Sequence, residues 1–373
     1  MDDEKTPWEE QSELGSKAFE EGDFEVAEVA WSRAVEEARQ FGADDVRLAT
    51  TLNQLGMLYY AQGRLPEAER ALREALEIRA RNFGGEHVSV AASLNNLGQV
   101  HDELGQWTEA EQLYRRALEL RESLLGDEHP SVAASLNNLA VLLRKQGQYE
   151  EAEYLYRRAL DVWERALGKE HPVRAKALGN LASLLWTSGK PEEAERTFQR
   201  ALRMGRKLLG EDHLDVAQIR WSLAGLYEST GRYAEAEPLY HRALVSRVKG
   251  YGPETVQVAR DLSMLAAFYA RQGRLSEAEP MQRKSFELFE GALGASHTET
   301  LLALADLALL LEGRGKVEGA EELLLRAMEL WETGERTPAV RQGIEAYLGL
   351  LGRQGRSREA DEMRARLGEP TGD

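Results

Sequence analysis

The sequence predicts an all-α chain, a solenoid of nine stacked helix hairpins. Three observations carry that expectation: a 42-residue repeat, apolar stripes at helical spacing on either side of a recurring glycine, and no strand-like alternation between turn signals. Composition bounds the class further. Among 373 residues, 47 Lys plus Arg stand against 64 Asp plus Glu, a formal net charge of −17, which argues against a general nucleic-acid binder. Apolar residues make up 42%, enough to bury a core and too many for a disordered chain. No apolar run approaches the roughly 18 residues of a membrane span, and the start, Met1-Asp2-Asp3-Glu4-Lys5, is acidic where a secretory signal is basic and then apolar. A cytoplasmic protein is therefore expected. The absence of cysteine excludes disulfides, thiolate metal sites and cysteine nucleophiles.

The glycine column reads Gly22, Gly63, Gly105, Gly147, Gly189, Gly231, Gly273, Gly315 and Gly355, and an alanine follows each by five residues, from Ala27 and Ala68 to Ala360. Before the glycine, Leu52, Leu55, Gly56 and Tyr59 fall at i, i+3, i+4 and i+7, the stripe of an amphipathic helix A. The stripe returns as Leu94/Leu97/Gly98/His101 and Leu136/Leu139/Ala140/Leu143, with a small third residue that lets a second helix approach closely. After the glycine, Ala110/Leu113/Tyr114/Ala117/Leu118 and its equivalents define helix B. Pro66 and Pro191 fall near its first turn, where a missing N–H matters little; Pro238 and Pro280 lie deeper and remove a backbone bond. Connectors such as Leu125-Gly126-Asp127-Glu128-His129-Pro130 end one helix with glycine and start the next with proline. The units are read as 8–49, 50–91, 92–133, 134–175, 176–217, 218–259, 260–301, 302–341 and 342–367, one domain over 1–373 with short acidic tails.

Leu94, Leu97, Gly98, Gly105, Ala110, Tyr114 and Ala117 together resemble the tetratricopeptide repeat, and the pattern recurs along essentially the whole chain. The usual repeat has about 34 residues; at 42, with a Leu-Gly-x-Glu-His-Pro-x-Val-Ala connector, these units are similar to those of kinesin light chains and their bacterial relatives. The chain begins almost directly at its first repeat, without a preceding heptad coiled coil, so the resemblance implies the fold and the mode of binding rather than the motor. It implies a right-handed superhelix whose concave surface, lined by A helices, holds partner peptides or domains.

Catalytic constellations are missing. The Gly-Lys pairs at Gly168, Gly189 and Gly315 lack the flanking pattern of a phosphate loop, and there is no Gly-x-Ser-x-Gly elbow or His-Glu-x-x-His helix. No enzyme and no cofactor is expected. Five histidines share one column, His87, His129, His171, His213 and His297. Equivalent positions in adjacent repeats lie about 8–10 Å apart, whereas zinc ligands lie about 2 Å from the metal, so the column reads as connector caps rather than a metal array.

Candidate binding residues fall on the A helices. Asn53, Asn95, Asn96, Asn137, Asn138 and Asn180 recur mid-helix, although asparagine is a mediocre helix former. Their carboxamides suit a sequence-tolerant grip on an extended peptide backbone, the role the resemblance implies; they equally suit bonding between neighbouring helices. Arg144, Lys145, Lys176, Arg260 and Arg271 form a basic centre flanked by Asp102, Glu103, Asp306 and Glu312, which favours an acidic ligand or makes an ordinary mixed-charge surface. Trp186 and Trp221 project on the same face, and Arg220 stands where other units have leucine. That group reads as a binding hot spot or as a locally repacked helix. The expected function is a non-enzymatic adaptor that binds a protein or peptide partner, acidic or extended. The alternatives are a self-assembling structural solenoid, against which the charged last unit argues, and a peptide-signal-gated regulator.

Overall fold

The computed structural model describes residues 5–333 and 337–367; the ends of both acidic tails, 1–4 and 368–373, and the Trp331 and Arg366 side chains lie outside the described residues. Eighteen α-helices and no strand are present among the described residues. The chain divides into two compact units, Met1–Leu209 and Gly210–Asp373. The first holds α1 (Pro7–Glu21), α2 (Phe24–Gln40), α3 (Val46–Ala61), α4 (Leu65–Phe83), α5 (Val88–Glu103), α6 (Trp107–Leu125), α7 (Pro130–Lys145), α8 (Tyr149–Leu167), α9 (Pro172–Thr187) and α10 (Pro191–Leu209). The second holds α11 (Leu214–Ser229), α12 (Tyr233–Tyr251), α13 (Val256–Arg271), α14 (Leu275–Leu293), α15 (Thr298–Gly313), α16 (Val317–Glu332), α17 (Pro338–Arg353) and α18 (Ser357–Leu367). Odd-numbered helices are the A helices. Within each unit, every A helix packs on its own B helix and on the B helix before it.

The turn inside each hairpin follows from one glycine. Gly63 adopts φ 76°, its N–H bonds the Tyr60 carbonyl at 3.0 Å and the Arg64 N–H reaches back to Tyr59 O at 2.9 Å. This is the Schellman arrangement, which needs a left-handed residue. Gly105, Gly147, Gly231 and the other column members repeat it. Helix starts are set by caps. The ring nitrogen Nδ1 of His129 accepts from Ser131 N at 3.1 Å, and His87, His171, His213 and His297 do the same in their connectors; Asp45, Thr255 and Thr337 stand in elsewhere. These caps place the A-helix starts at Val46, Val88 and Pro130, ahead of unit starts drawn at 50, 92 and 134. The histidine column therefore has the capping role expected of it.

Packing explains the small column. A Cβ on Gly56 would stand 2.7 Å from Leu72, and one on Gly98 would stand 2.8 Å from Tyr114. The alanines that follow the turn, Ala68, Ala110, Ala152 and Ala194, are fully buried. Small residues on both helices thus let the backbones approach, while Leu72, Tyr114, Tyr156 and Phe198 fill the gap between them. In the second unit one continuous core runs through Phe286, Leu304, Leu307, Leu324, Ile344 and Tyr347. Trp31 and Trp163 are buried in the core, whereas Trp107 is 42% exposed, because it is the first residue of its helix.

Candidate binding face on the A helices

The asparagines form a ladder in the first unit. Asn96 Nδ2 donates to Asn53 Oδ1 at 3.0 Å, Asn138 Nδ2 to Asn95 Oδ1 at 2.9 Å, and Asn180 Nδ2 to Asn137 Oδ1 at 3.2 Å. Each bond joins residues 43 apart, one A helix to the next. Gln54, at the donor position of α3, instead reaches Ser16 of α1, 38 residues back, at 3.2 Å, and the series ends where Gly179 offers no acceptor. Asn137 also donates to Asn138 at 3.4 Å. Asn95 is buried, and the other five are half-buried. After these bonds, the Asn53 carboxamide N–H and the Asn96 and Asn180 carboxamide oxygens have no partner among the described residues.

Most of the expected basic centre is paired within the chain. Lys145 bonds Asp102 at 2.8 Å in the first unit; Arg271 bonds Glu228 at 2.8 Å and Arg260 grips Glu299 at 2.6 and 3.0 Å in the second. Arg353 grips Glu312 in the same way. The Lys145, Arg271 and Arg353 pairs join successive A helices as the asparagine ladder does, but seven residues, or two helical turns, further along, so these cations join repeats rather than present an unopposed charge. Arg144 lies beside the buried Tyr156 phenol, whose pKa is raised by burial and pulled back by that guanidinium. Lys176 is exposed and Trp186 half-buried on α9.

Trp221 corrects the sequence expectation. It is only 7% exposed, packs edge-on against Tyr240 at 4.8 Å between ring centroids and lies beneath the Arg247 guanidinium at 4.8 Å. Arg220 is buried and ion-paired with Glu211. The Arg220/Trp221 departure is therefore local repacking: the tryptophan replaces a ladder asparagine, and its area is satisfied inside the hairpin. At the next ladder position the second unit carries Ser222, Met264 and Asp306, and Met264, Leu302 and Leu309 are exposed on α13 and α15. Burial raises the Asp306 pKa.

One site residue lay unnoticed in a column. Arg174 occupies the position of Val90, Val132, Val216 and Val258, is buried, and pairs with Glu164 and the Lys169 carbonyl. The comparison of columns that singled out Arg220 would have found it.

Hairpins of this construction define a class of helical-repeat proteins in which one row of helices forms the exposed binding face. A tetratricopeptide repeat profile matches residues 11–81, 47–123, 89–163, 131–207, 174–245 and 255–333, and the chain belongs to that family. The chain is similar to BtubC (BKLC) from P. vanneervenii, with 27% identity over 61% of this chain and 92% of that one and a TM-score of 0.51. It also resembles a chain described as a Podosopora anserina kinesin light chain (27% identity, 55% of this chain and 97% of that one, TM-score 0.45). The quorum sensor NprR from B. thuringiensis shares the fold at 15% identity, 86% coverage of both chains and a TM-score of 0.58. No curated protein matches. Repeats of this family typically serve protein–protein interaction, and no described helix is long and apolar enough to cross a membrane.

Proposed function

We propose that the chain is a non-catalytic adaptor whose first unit binds an extended peptide along the A helices. One observation carries the reading: the ladder fixes Asn53, Asn96 and Asn180 each through one half of the carboxamide and leaves the other half unpartnered and held in place. Side chains already immobilised lose little entropy when a ligand arrives. The donor on α3 and the acceptors on α5 and α9 lie along one row of A helices and suit the polar groups of an extended backbone. Lys176 and Trp186, on the last A helix of this unit, would add selectivity.

The test is peptide display on the parent, on Asn96→Leu/Asn180→Leu, and on Asn138→Leu, whose carboxamide is already used at both ends. A motif enriched on the parent and on the Asn138 variant but lost on the double variant supports the reading. Equal enrichment on all three, equal loss on both variants, or no enrichment on the parent sinks it.

A further inference from the structure

A second site lies on the other row of helices. Between α8 and α10, over α9, is a cleft of about 470 Å³. Asp161 and Glu164 line its α8 wall, Arg196, Thr197 and Arg200 its α10 wall, and Leu160, Leu178 and Leu181 its floor.

The repeat shows why this cleft is open. In the preceding hairpin Arg158 of α8 forms an ion pair with Glu122 of α6 at 2.8 Å. In the second unit Arg326 of α16 pairs with Glu290 of α14. Both pairs span 36 residues, and both tie successive B helices. The third pair in register is Arg200 with Glu164, and it does not form. Arg174, standing where the repeat has valine, takes Glu164 instead. Arg200 and its neighbour one turn back, Arg196, are exposed, with no hydrogen bond or ion pair among the described residues. The corresponding cleft of the second unit, where Arg326 pairs with Glu290 in the lining, is smaller, about 290 Å³.

We propose that the α8–α9–α10 cleft binds an acidic peptide segment, with a carboxylate held between Arg196 and Arg200. Charge selects the ligand. Glu164 is neutralised by Arg174, and Arg157, also in the lining, is tied to Glu153 at 2.7 Å. Arg196 and Arg200 then face the single unpaired Asp161, an excess of one positive charge that one carboxylate balances. Two guanidiniums at i and i+4 offer forked donors suited to carboxylate oxygens. The leucine floor accepts an apolar side chain next to the acidic one. Arg174 also lines the cleft, but it is buried and its guanidinium is used by Glu164 and the Lys169 carbonyl, so it serves as a positioning residue that deprives Arg200 of its repeat partner.

The probe is a fluorescein-labelled, N-acetylated peptide pool with Glu or Asp flanking Leu or Phe, read by anisotropy on the full chain against a matched pool with Lys in place of the acids. The acidic pool is expected to bind and the Lys pool not. Arg196→Ala/Arg200→Ala should weaken binding roughly 10-fold or more, the loss of one or two charge-assisted bonds. Arg174→Val restores the repeat's own residue, so it should fold, release Glu164 to pair with Arg200, and weaken binding comparably although both Arg196 and Arg200 remain. Asn96→Leu/Asn180→Leu should leave it unchanged, which separates this site from the A-helix face. Equal binding of both pools, or of the parent and the Arg196/Arg200 variant, overturns the proposal; unchanged binding in a folded Arg174→Val variant overturns the part assigned to Arg174.

Discussion

The two units solve one geometric problem with different chemistry. In both, a residue on one A helix meets a residue about 42 positions earlier, on the A helix before it. At the ladder position the first unit joins its helices with amides, from Asn53 to Asn180, whereas the second carries Ser222, Met264 and Asp306 there, with Met264 exposed; two turns further along both units use ionic pairs, Lys145 with Asp102 in the first and Arg271 with Glu228 and Arg353 with Glu312 in the second. A second column shows the same divergence. Arg79 and Arg121 of the first unit reach Ser93 and Ser135 at 2.7 Å, but Arg247 of the second reaches the buried carboxylate of Asp261. Period fixes which positions meet, and the side chains there remain free to vary as long as both partners change together. Neutral linkages tolerate salt and acid; ionic ones respond to both.

The largest expected effect tests what the units share. Tyr156→Ala in the first unit and Phe268→Ala in the second each remove a fully buried ring and should cost about 3–5 kcal/mol in urea unfolding. A small loss in either would show that the packing layer is not common to both. Next, Arg247→Ala strands the Asp261 carboxylate and should cost about 3–5 kcal/mol, whereas Arg79→Ala strands only the Ser93 hydroxyl and should cost about 1–3 kcal/mol. Equal losses would erase the ionic versus neutral distinction. Smaller again, Asn138→Ala should cost about 1 kcal/mol at any salt concentration, while Arg353→Ala should cost up to about 1 kcal/mol at low salt and little at high salt.

Acid should act mainly through the second unit's ion pairs. Side-chain hydrogen bonds from Arg274, Arg353 and Arg356 hold Glu237, Glu312 and Glu321 below the ordinary 4.5. With folded pKa values depressed, their stabilisation is complete above about 4.5 and is lost as the pH falls through the folded values. Asp261 has the opposite sign. Burial, outweighing Arg247, raises its pKa above 3.8, so its contribution improves on acidification. Urea midpoints across an acid titration should fall, and fall more steeply in Asp261→Asn; a flatter titration in that variant would reverse the sign assigned to the buried carboxylate.

Much of this was legible before any coordinates. Gly63 and its column had to be turns, because a left-handed residue ends the A helix, and the small residues at Gly56 and Gly98 had to face a neighbour. His129 and its equivalents could be read as caps from their place between a glycine and a helix start. The candidate site was legible only in part. Mid-helix Asn95 and Asn138 demanded a partner, but a peptide and a neighbouring helix fit that demand equally well. Trp221 looked like an exposed anchor because its position alone does not reveal Tyr240 and Arg247 beside it.

The sequence by itself determined the period, the hairpins, their caps and the apolar stripes, because each depends on residues within one helix or turn, where spacing is geometry. Only the tertiary structure decided which polar groups were already used. Lys145 and Arg271 find their carboxylates, Asn138 its amide and Arg174 the glutamate it takes from Arg200 across gaps between helices. A charge or carboxamide has the same covalent form whether its partner is a ligand, water or the next repeat, and three-dimensional packing alone brings one of them within reach.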